Sequence, residues 1–364
     1  MNKLKLIYLF LISSLLVLNS CSKEDNSTEI NHPLGLTSWE LITEIEGVNI
    51  DKAFRLHIDE DKVLWVGTFG NGLIKIEGDN VTQLTTENST IPDDIIYAID
   101  SDNDGFVWGG TGNGLFKYKE DLTVYNSTNS DMILDHALCI ALDKANNVWF
   151  ANGNSEEGGL MKFDQTENNW HLYTPDNSDI PNGIVKDVHI TEDGTVWTAH
   201  GMANGVGGIW KKSTDGQEKV YNTDNSNLNY NWITTIKHDE EGNIWAGTDA
   251  AVYLNGVDLH GGIQILMNDE FIDHNPANSG GTTNRVTAME FDCNGNLWVA
   301  TSVDAPTFNL EHELSVYNGE KWFVLSNEIE NFPNLYISDI EVDGDTVWIS
   351  APDYGLIKIS LECD

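Results

Sequence analysis

The chain has 364 residues, and 58 Asp and Glu against 19 Lys and Arg give it a formal net charge of −39. A surface of that sign repels phosphate backbones and anionic headgroups, which excludes nucleic acid as a main partner and a bare lipid surface as a docking site. The length also exceeds the roughly 250–300 residues at which single cores stop growing, unless small units are added around an axis.

Lys3 and Lys5 come first, followed by an apolar run from Leu6 to Leu18 broken only by Ser13 and Ser14. The run falls short of the about 20 residues that a spanning helix needs. A short positive segment before a short apolar one is the layout of a secretory signal, here over 1–20. It ends Leu18-Asn19-Ser20-Cys21, which resembles the lipobox of bacterial lipoproteins. That resemblance implies cleavage before Cys21, a diacylglycerol on its thiol and an acyl chain on its amine. Ser22-Lys23-Glu24-Asp25 resembles the signals that carry some Gram-negative lipoproteins to the outer face. The expectation is an outer-membrane lipoprotein exposed at the surface, or else anchored on the periplasmic side. Residues 21–33 are polar and read as a flexible tether, so membrane contact is through lipid alone.

From residue 34 onward one phrase recurs: an apolar residue, Trp, small or apolar residues, then a polar one. The copies are Leu64-Trp65-Val-Gly-Thr68, Val107-Trp108-Gly-Gly-Thr111, Val148-Trp149-Phe-Ala-Asn152, Val196-Trp197-Thr-Ala-His200, Ile244-Trp245-Ala-Gly-Thr248, Leu297-Trp298-Val-Ala-Thr301 and Val347-Trp348-Ile-Ser-Ala351. Successive Trp lie 43, 41, 48, 48, 53 and 50 residues apart, the length of a four-stranded propeller blade. Before each Trp comes an alternating stretch such as Ile233 to Asp239, then a polar turn such as Asn103-Asp-Gly105; these read as a strand and a hairpin. A third strand follows, usually glycine-marked (Gly114 to Tyr118, Gly355 to Ile359), and then a short aromatic fourth (Trp170 to Tyr173, Trp322 to Leu325). No segment beyond the signal carries a helical stripe. The predicted fold is all-β, a seven-bladed β-propeller of four-stranded antiparallel blades over 34–364. The last repeat lacks its fourth strand, and Ser38 to Thr43 near the N-terminus has the character to supply it. Such closure leaves few open sheet edges. The seven Trp are expected to pack between blades.

Besides Cys21 the chain has Cys139, Cys293 and Cys363. Three cannot all pair and their spacing shows no framework, so no essential disulfide is expected. Cys139, inside Ala137-Leu-Cys-Ile-Ala141, reads as a small core residue. The stretch Asp100-Ser-Asp102-Asn-Asp104-Gly105 matches half of an EF-hand loop, but Thr111 stands where the bidentate Glu is required, and the stretch falls where every repeat turns.

The pattern Ile-x-x-Ile-x-x-Asp-x-x-Gly-x-hydrophobic-Trp-hydrophobic-Gly/Ala-Thr, best seen over Ile96 to Leu115 and Ile233 to Thr248, resembles the two-component regulator propeller repeat. In that family such propellers form the extracytoplasmic sensors of hybrid histidine kinases, many of which detect glycan fragments. The resemblance covers nearly all of 52–359 and implies a sensor-type propeller, here without a following transmembrane helix, kinase or regulator domain. The rhythm Asp…Gly-Asn-hydrophobic-Trp also looks like the streptogramin lyases, seven-bladed enzymes that use a His base and a divalent metal.

A site belongs on the face where second strands join third strands and blades join blades, because the long connections gather there: Asn152 to Gly158, His200 to Gly207, Asp249 to Gly261 and Ser302 to Glu313. Aligning each innermost strand on its Trp puts Lys52, Ile95, His136, Ile184, Trp232, Arg285 and Tyr336 at the channel mouth. The candidate binding residues are Lys52, His136, Trp232, Arg285 and Tyr336, with His200 and Tyr354 just past their Trp strands. A cationic and aromatic rim suits a glycan, a peptide or a partner protein. His136 and His200 are the base-and-ligand pair that a lyase reading would need. No catalytic motif, metal ligand set or cofactor signature accompanies them, so binding leads, as a monomer, with a scaffold role in an outer-membrane complex as a further alternative.

Overall fold

The computed structural model describes residues 28–29, 32–153, 157–201, 205–249, 262–274, 285–302, 312–329 and 331–363. The signal, Cys21, most of the tether and the centres of the long connections lie outside the described residues.

The fold is a seven-bladed β-propeller of antiparallel blades. Their innermost strands are Ala53–Ile58, Ile96–Ser101, Ala137–Leu142, Val185–Ile190, Ile233–His238, Arg285–Phe291 and Asp339–Asp343. Each innermost strand contacts its two neighbours, and the seventh contacts the first, so the ring is closed. The second strands hold the Trp phrase, and Leu64–Thr68, Val107–Thr111, Val148–Asn152, Val196–Gly201, Ile244–Thr248 and Leu297–Ser302 are buried at every position. They are buried on both faces because each sheet is sandwiched between two others, which is why they read as apolar runs. The small residues after Trp serve that packing. A Cβ at Gly110 would stand 2.3 Å from the carbonyl oxygen of Ala137 in the next blade.

The core is divided into seven clusters, one at each interface. Trp65 packs on Ile96 and Phe116, Trp108 on Val148 and Phe150, Trp149 on Val188 and Trp210, and Trp197 on Ile233 and Ile236. Trp245 packs on Val286 and Val299, Trp298 on Ile340 and Ile349, and Trp348 on Leu56 and Val66. Every repeated Trp therefore reaches from its own blade into the next one. The half-matched calcium loop is a hairpin turn: Asp102 Oδ1 accepts the amides of Asp104 (3.1 Å) and Phe106 (2.9 Å).

The N-terminal strand closes the ring. Leu36–Ile42 pairs antiparallel with Gly355–Leu361, with Trp39 opposite Ile359. Within the expected tether, Thr28–Glu29 adds a short fifth strand against Ser38 and Trp39. In blade six the fourth strand is shorter than expected. It stops at Val324, and Leu325–Glu328 makes one helical turn that buries Leu325 with Leu36 and Phe332 in the closing cluster.

One expectation is corrected. Cys293 and Cys363 form a disulfide, 70 residues apart in sequence. Closure supplies the proximity that spacing does not show. The tail past the last strand runs beside the blade-six hairpin, where Asn294 Nδ2 donates to the Glu362 carbonyl (2.8 Å) and the Glu362 amide donates to the Gly35 carbonyl (2.8 Å). Cys139 is the free cysteine of the described residues. It is half-buried, packs on the blade-three/four cluster and lines the central channel, and burial pushes its thiol pKa far up.

Candidate functional site

The seven innermost strands enclose a channel of about 390 Å³. The residues paired with the repeated Trp, namely His57, Asp100, Ala141, His189, Lys237, Glu290 and Glu341, form one belt around it. Arg55, Asp187 and Asp339 line the channel nearer the mouth.

These charges bolt neighbouring blades together. Asp100, Asp187 and Asp339 each accept a backbone amide from the next innermost strand: Leu142 at 2.8 Å, Ile236 at 2.9 Å and Leu56 at 2.9 Å. Lys237 of blade five pairs with Glu290 of blade six. Arg55 Nε donates to the Tyr97 carbonyl (2.9 Å) and its terminal nitrogen to the Ser338 carbonyl (2.7 Å), joining blades one, two and seven. Burial raises the pKa of Asp100, Asp187 and Asp339, and burial together with Glu290 raises that of Glu341 further. Burial alone would lower Lys237, but Glu290 and Glu341 hold it protonated. His189 bonds His238 (2.7 Å), and burial, aided by Lys237, holds its pKa well below the usual imidazole range.

The expected mouth residues each come from a different blade, at the start of its innermost strand. Lys52 is exposed, with its ammonium over Gly70. His136 is exposed, and its carbonyl accepts the Gly153 amide (3.2 Å). Trp232 is half-buried against the Gly201 backbone. Arg285 is 43% exposed, with Nε 3.6 Å from Asp249 Oδ2. Tyr336 is half-buried, edge-on to His312 at 5.6 Å. Tyr354 is 48% exposed in the blade-seven turn. Among the described residues no hydrogen bond, ion pair or ring contact joins any two of these side chains. His200 differs from the rest: it is wholly buried, bonds the Thr198 hydroxyl (2.8 Å), and burial lowers its pKa to about 3.

Several mouth residues escaped the sequence reading. Phe69 is 51% exposed and packs edge-on to Phe54 (5.8 Å), which meets Tyr97 (6.4 Å); the Arg55 guanidinium lies 4.3 Å over Phe54. Phe69 follows Thr68 where three other repeats have Gly112, Gly153 and Gly201, a signal that was there to be used. Lys186 lines the channel beside Arg285, and burial and that guanidinium lower its pKa, with Asp249 opposing. Among the described residues no three His, Cys, Asp or Glu side chains gather as a metal would need, and no helix is long and apolar enough to cross a membrane.

Residues 227–250, which span the Trp245 phrase, match the family "Two component regulator propeller". The chain carries that repeat. No curated protein matches the chain. Solved structures similar to it include the extracellular domain of the putative hybrid two component system BT3049 from B. thetaiotaomicron, at 17% identity and a TM-score of 0.64, covering 86% of this chain and 40% of that one. Virginiamycin B lyase from Staphylococcus aureus follows at 13% identity and 0.62, covering 89% and 100%. PorZ, a bacterial surface component of the type-IX secretion system of Porphyromonas gingivalis, follows at 17% and 0.59, covering 85% and 46%. At such identities the likeness establishes the fold alone. The chain spans about two fifths of the length of the B. thetaiotaomicron domain.

Proposed function

We propose that the protein is an extracytoplasmic binding propeller, lipid-anchored at Cys21 in the outer membrane, that presents the channel-mouth face to a glycan, a peptide or a partner protein. The observation that carries this reading is the character of that face. Phe69, Ile133, Val206 and Tyr354, four of the seven large apolar side chains exposed among the described residues, sit in its connections. Lys52 and His136 stand exposed beside them, and the Arg285 side chain is 43% accessible, in a chain of net charge −39. Exposed aromatic and cationic groups on a rigid frame are what a recognition surface requires. The repeat match and the similarity to an extracellular sensor domain support the same reading, and a disulfide fits an oxidising compartment.

The purified chain, applied to glycan and peptide arrays, is expected to retain a defined subset. Arg285→Ala combined with Trp232→Ala is expected to abolish that retention. An unchanged array pattern would move the site elsewhere. For the anchor, Cys21→Ser is expected to shift the protein from the membrane pellet to the soluble fraction; continued pelleting would refute lipidation at that residue.

A further inference from the structure

Five blades make the same hydrogen bond on the hairpin side. An aspartate six residues before the repeated Trp accepts its indole N–H: Asp59 from Trp65 (2.8 Å), Asp102 from Trp108 (3.1 Å), Asp143 from Trp149 (3.0 Å), Asp239 from Trp245 (2.9 Å) and Asp292 from Trp298 (2.8 Å). Blade four has Thr191 at that position. The Thr191 hydroxyl donates to Asp193 Oδ1 (2.7 Å), which also accepts the Thr195 amide (3.0 Å). The hairpin is therefore kept by a carboxylate moved two residues along, while the indole has lost its acceptor. Trp197 is only 5% exposed, and its Nε1 has no partner.

Beside this indole lies a cleft of about 400 Å³ between blades four and five, lined by Thr191, Thr195, Lys211, His238, Asp193 and Glu240 among others. Trp197 itself lines this cleft while its unmatched Nε1 is closed off from solvent, so a ligand acceptor that parts the wall would meet a buried donor in need of a partner. The surrounding charge narrows the class. Glu192, Asp193, Asp239, Glu240 and Glu241 line the cleft against Lys211 alone, so a carboxylate or phosphate ligand is repelled. A simple cation has no acceptor to offer the indole. Neighbouring hydroxyls meet both needs: one oxygen accepts from Trp197 while hydroxyl protons go to carboxylates. The indole and the Asp193 carboxylate share the blade-four wall, which suits adjacent hydroxyls better than a trans peptide group, whose N–H and C=O point opposite ways.

We propose that this cleft is a second binding site, distinct from the channel mouth, for one or two neutral sugar residues, with Trp197 Nε1 as the buried donor. The volume falls within the range of small-ligand pockets. Thr191→Asp restores the carboxylate found in five of the other six blades and fills the acceptor position from within.

The test follows the indole N–H signals of the full chain labelled with 15N-tryptophan, with the Trp197 peak assigned by its loss in Trp197→Phe. The probes are the methyl glycosides of glucose, galactose, mannose and N-acetylglucosamine, with tri-alanine amide as the neutral peptide control. At least one glycoside is expected to move the Trp197 peak saturably, and Thr191→Asp is expected to abolish that movement. A Trp197 peak that stays still with all four glycosides overturns the proposal. So does movement by the peptide alone, or movement that persists in Thr191→Asp.

Discussion

The two faces of this ring follow opposite rules. On the hairpin side, five blades repeat one device, an aspartate that holds both the turn and the indole N–H of the next strand. On the mouth side, seven equivalent positions carry Lys52, Ile95, His136, Ile184, Trp232, Arg285 and Tyr336, no two alike except the isoleucines. A position that is constant around a ring answers a need common to every blade, which is packing and closure. A position that varies is released from that need, and recognition can occupy it. The hairpin side is thus the frame, and its exceptions are blades four and seven, where Thr191 and Val342 stand in place of the aspartate.

The hardest test of the frame is Trp298, which is wholly buried at the blade-six/seven interface. Trp298→Ala is expected to cost about 3–5 kcal/mol in denaturant unfolding, whereas Trp232→Ala at the mouth, half-buried and outside the clusters, is expected to cost clearly less. Equal costs would erase the distinction between the faces. Next comes the Cys293–Cys363 bridge, which ties the blade-six hairpin to the tail of the closing blade. Removing it with Cys293→Ser and Cys363→Ser together is expected to cost about 2–4 kcal/mol through loop-closure entropy. Melting with and without reductant checks this: the wild type should shift and the double variant should not.

The frame was legible because it is repeated. Seven Trp phrases fix the blades, and the missing fourth strand of the last repeat points to Ser38 to Thr43, which lies largely within the observed strand Leu36–Ile42. The disulfide was not legible, since Cys293 and Cys363 are neighbours only after the ring has closed. The mouth was half legible. In the innermost strand of blade four the register shifts between Val185 and Asp187, so Lys186 sits at a bulge, and alternation cannot predict where a bulge falls. His200 was misplaced for a different reason. It ends a second strand that is buried on both faces, and there the polar character of a residue does not imply a route to solvent.

His200 offers a test of smaller size. Its pKa of about 3, set by burial, lies below that of the unfolded imidazole. A depressed folded pKa gives a contribution that is present above the unfolded value of about 6.5 and is lost as pH falls toward the folded one. Relative to His200→Gln, the wild type is therefore expected to lose about 1.4 kcal/mol of stability per pH unit below about 6.5, or roughly 2 kcal/mol at pH 5. A difference that stays flat between pH 7 and pH 5 would mean that this ring is solvated and belongs to the mouth after all.

The smallest expected effect makes the sharpest comparison, because it sets blade four against blade five with the same substitution. Phenylalanine keeps most of the indole's packing and removes its N–H. In blade five, Trp245→Phe leaves Asp239 Oδ2 without the indole donor that holds it at 2.9 Å, and the cost is expected to be about 1–3 kcal/mol. In blade four, Trp197→Phe removes a donor that has no partner, so no bond is lost and an unmet polar group disappears. The N–H contribution there is expected to be neutral or stabilising, offset only by the smaller ring. Chemical denaturation of the two variants side by side decides between them. Equal losses would show that the Trp197 N–H is satisfied in solution, and blade four would then obey the same rule as its neighbours.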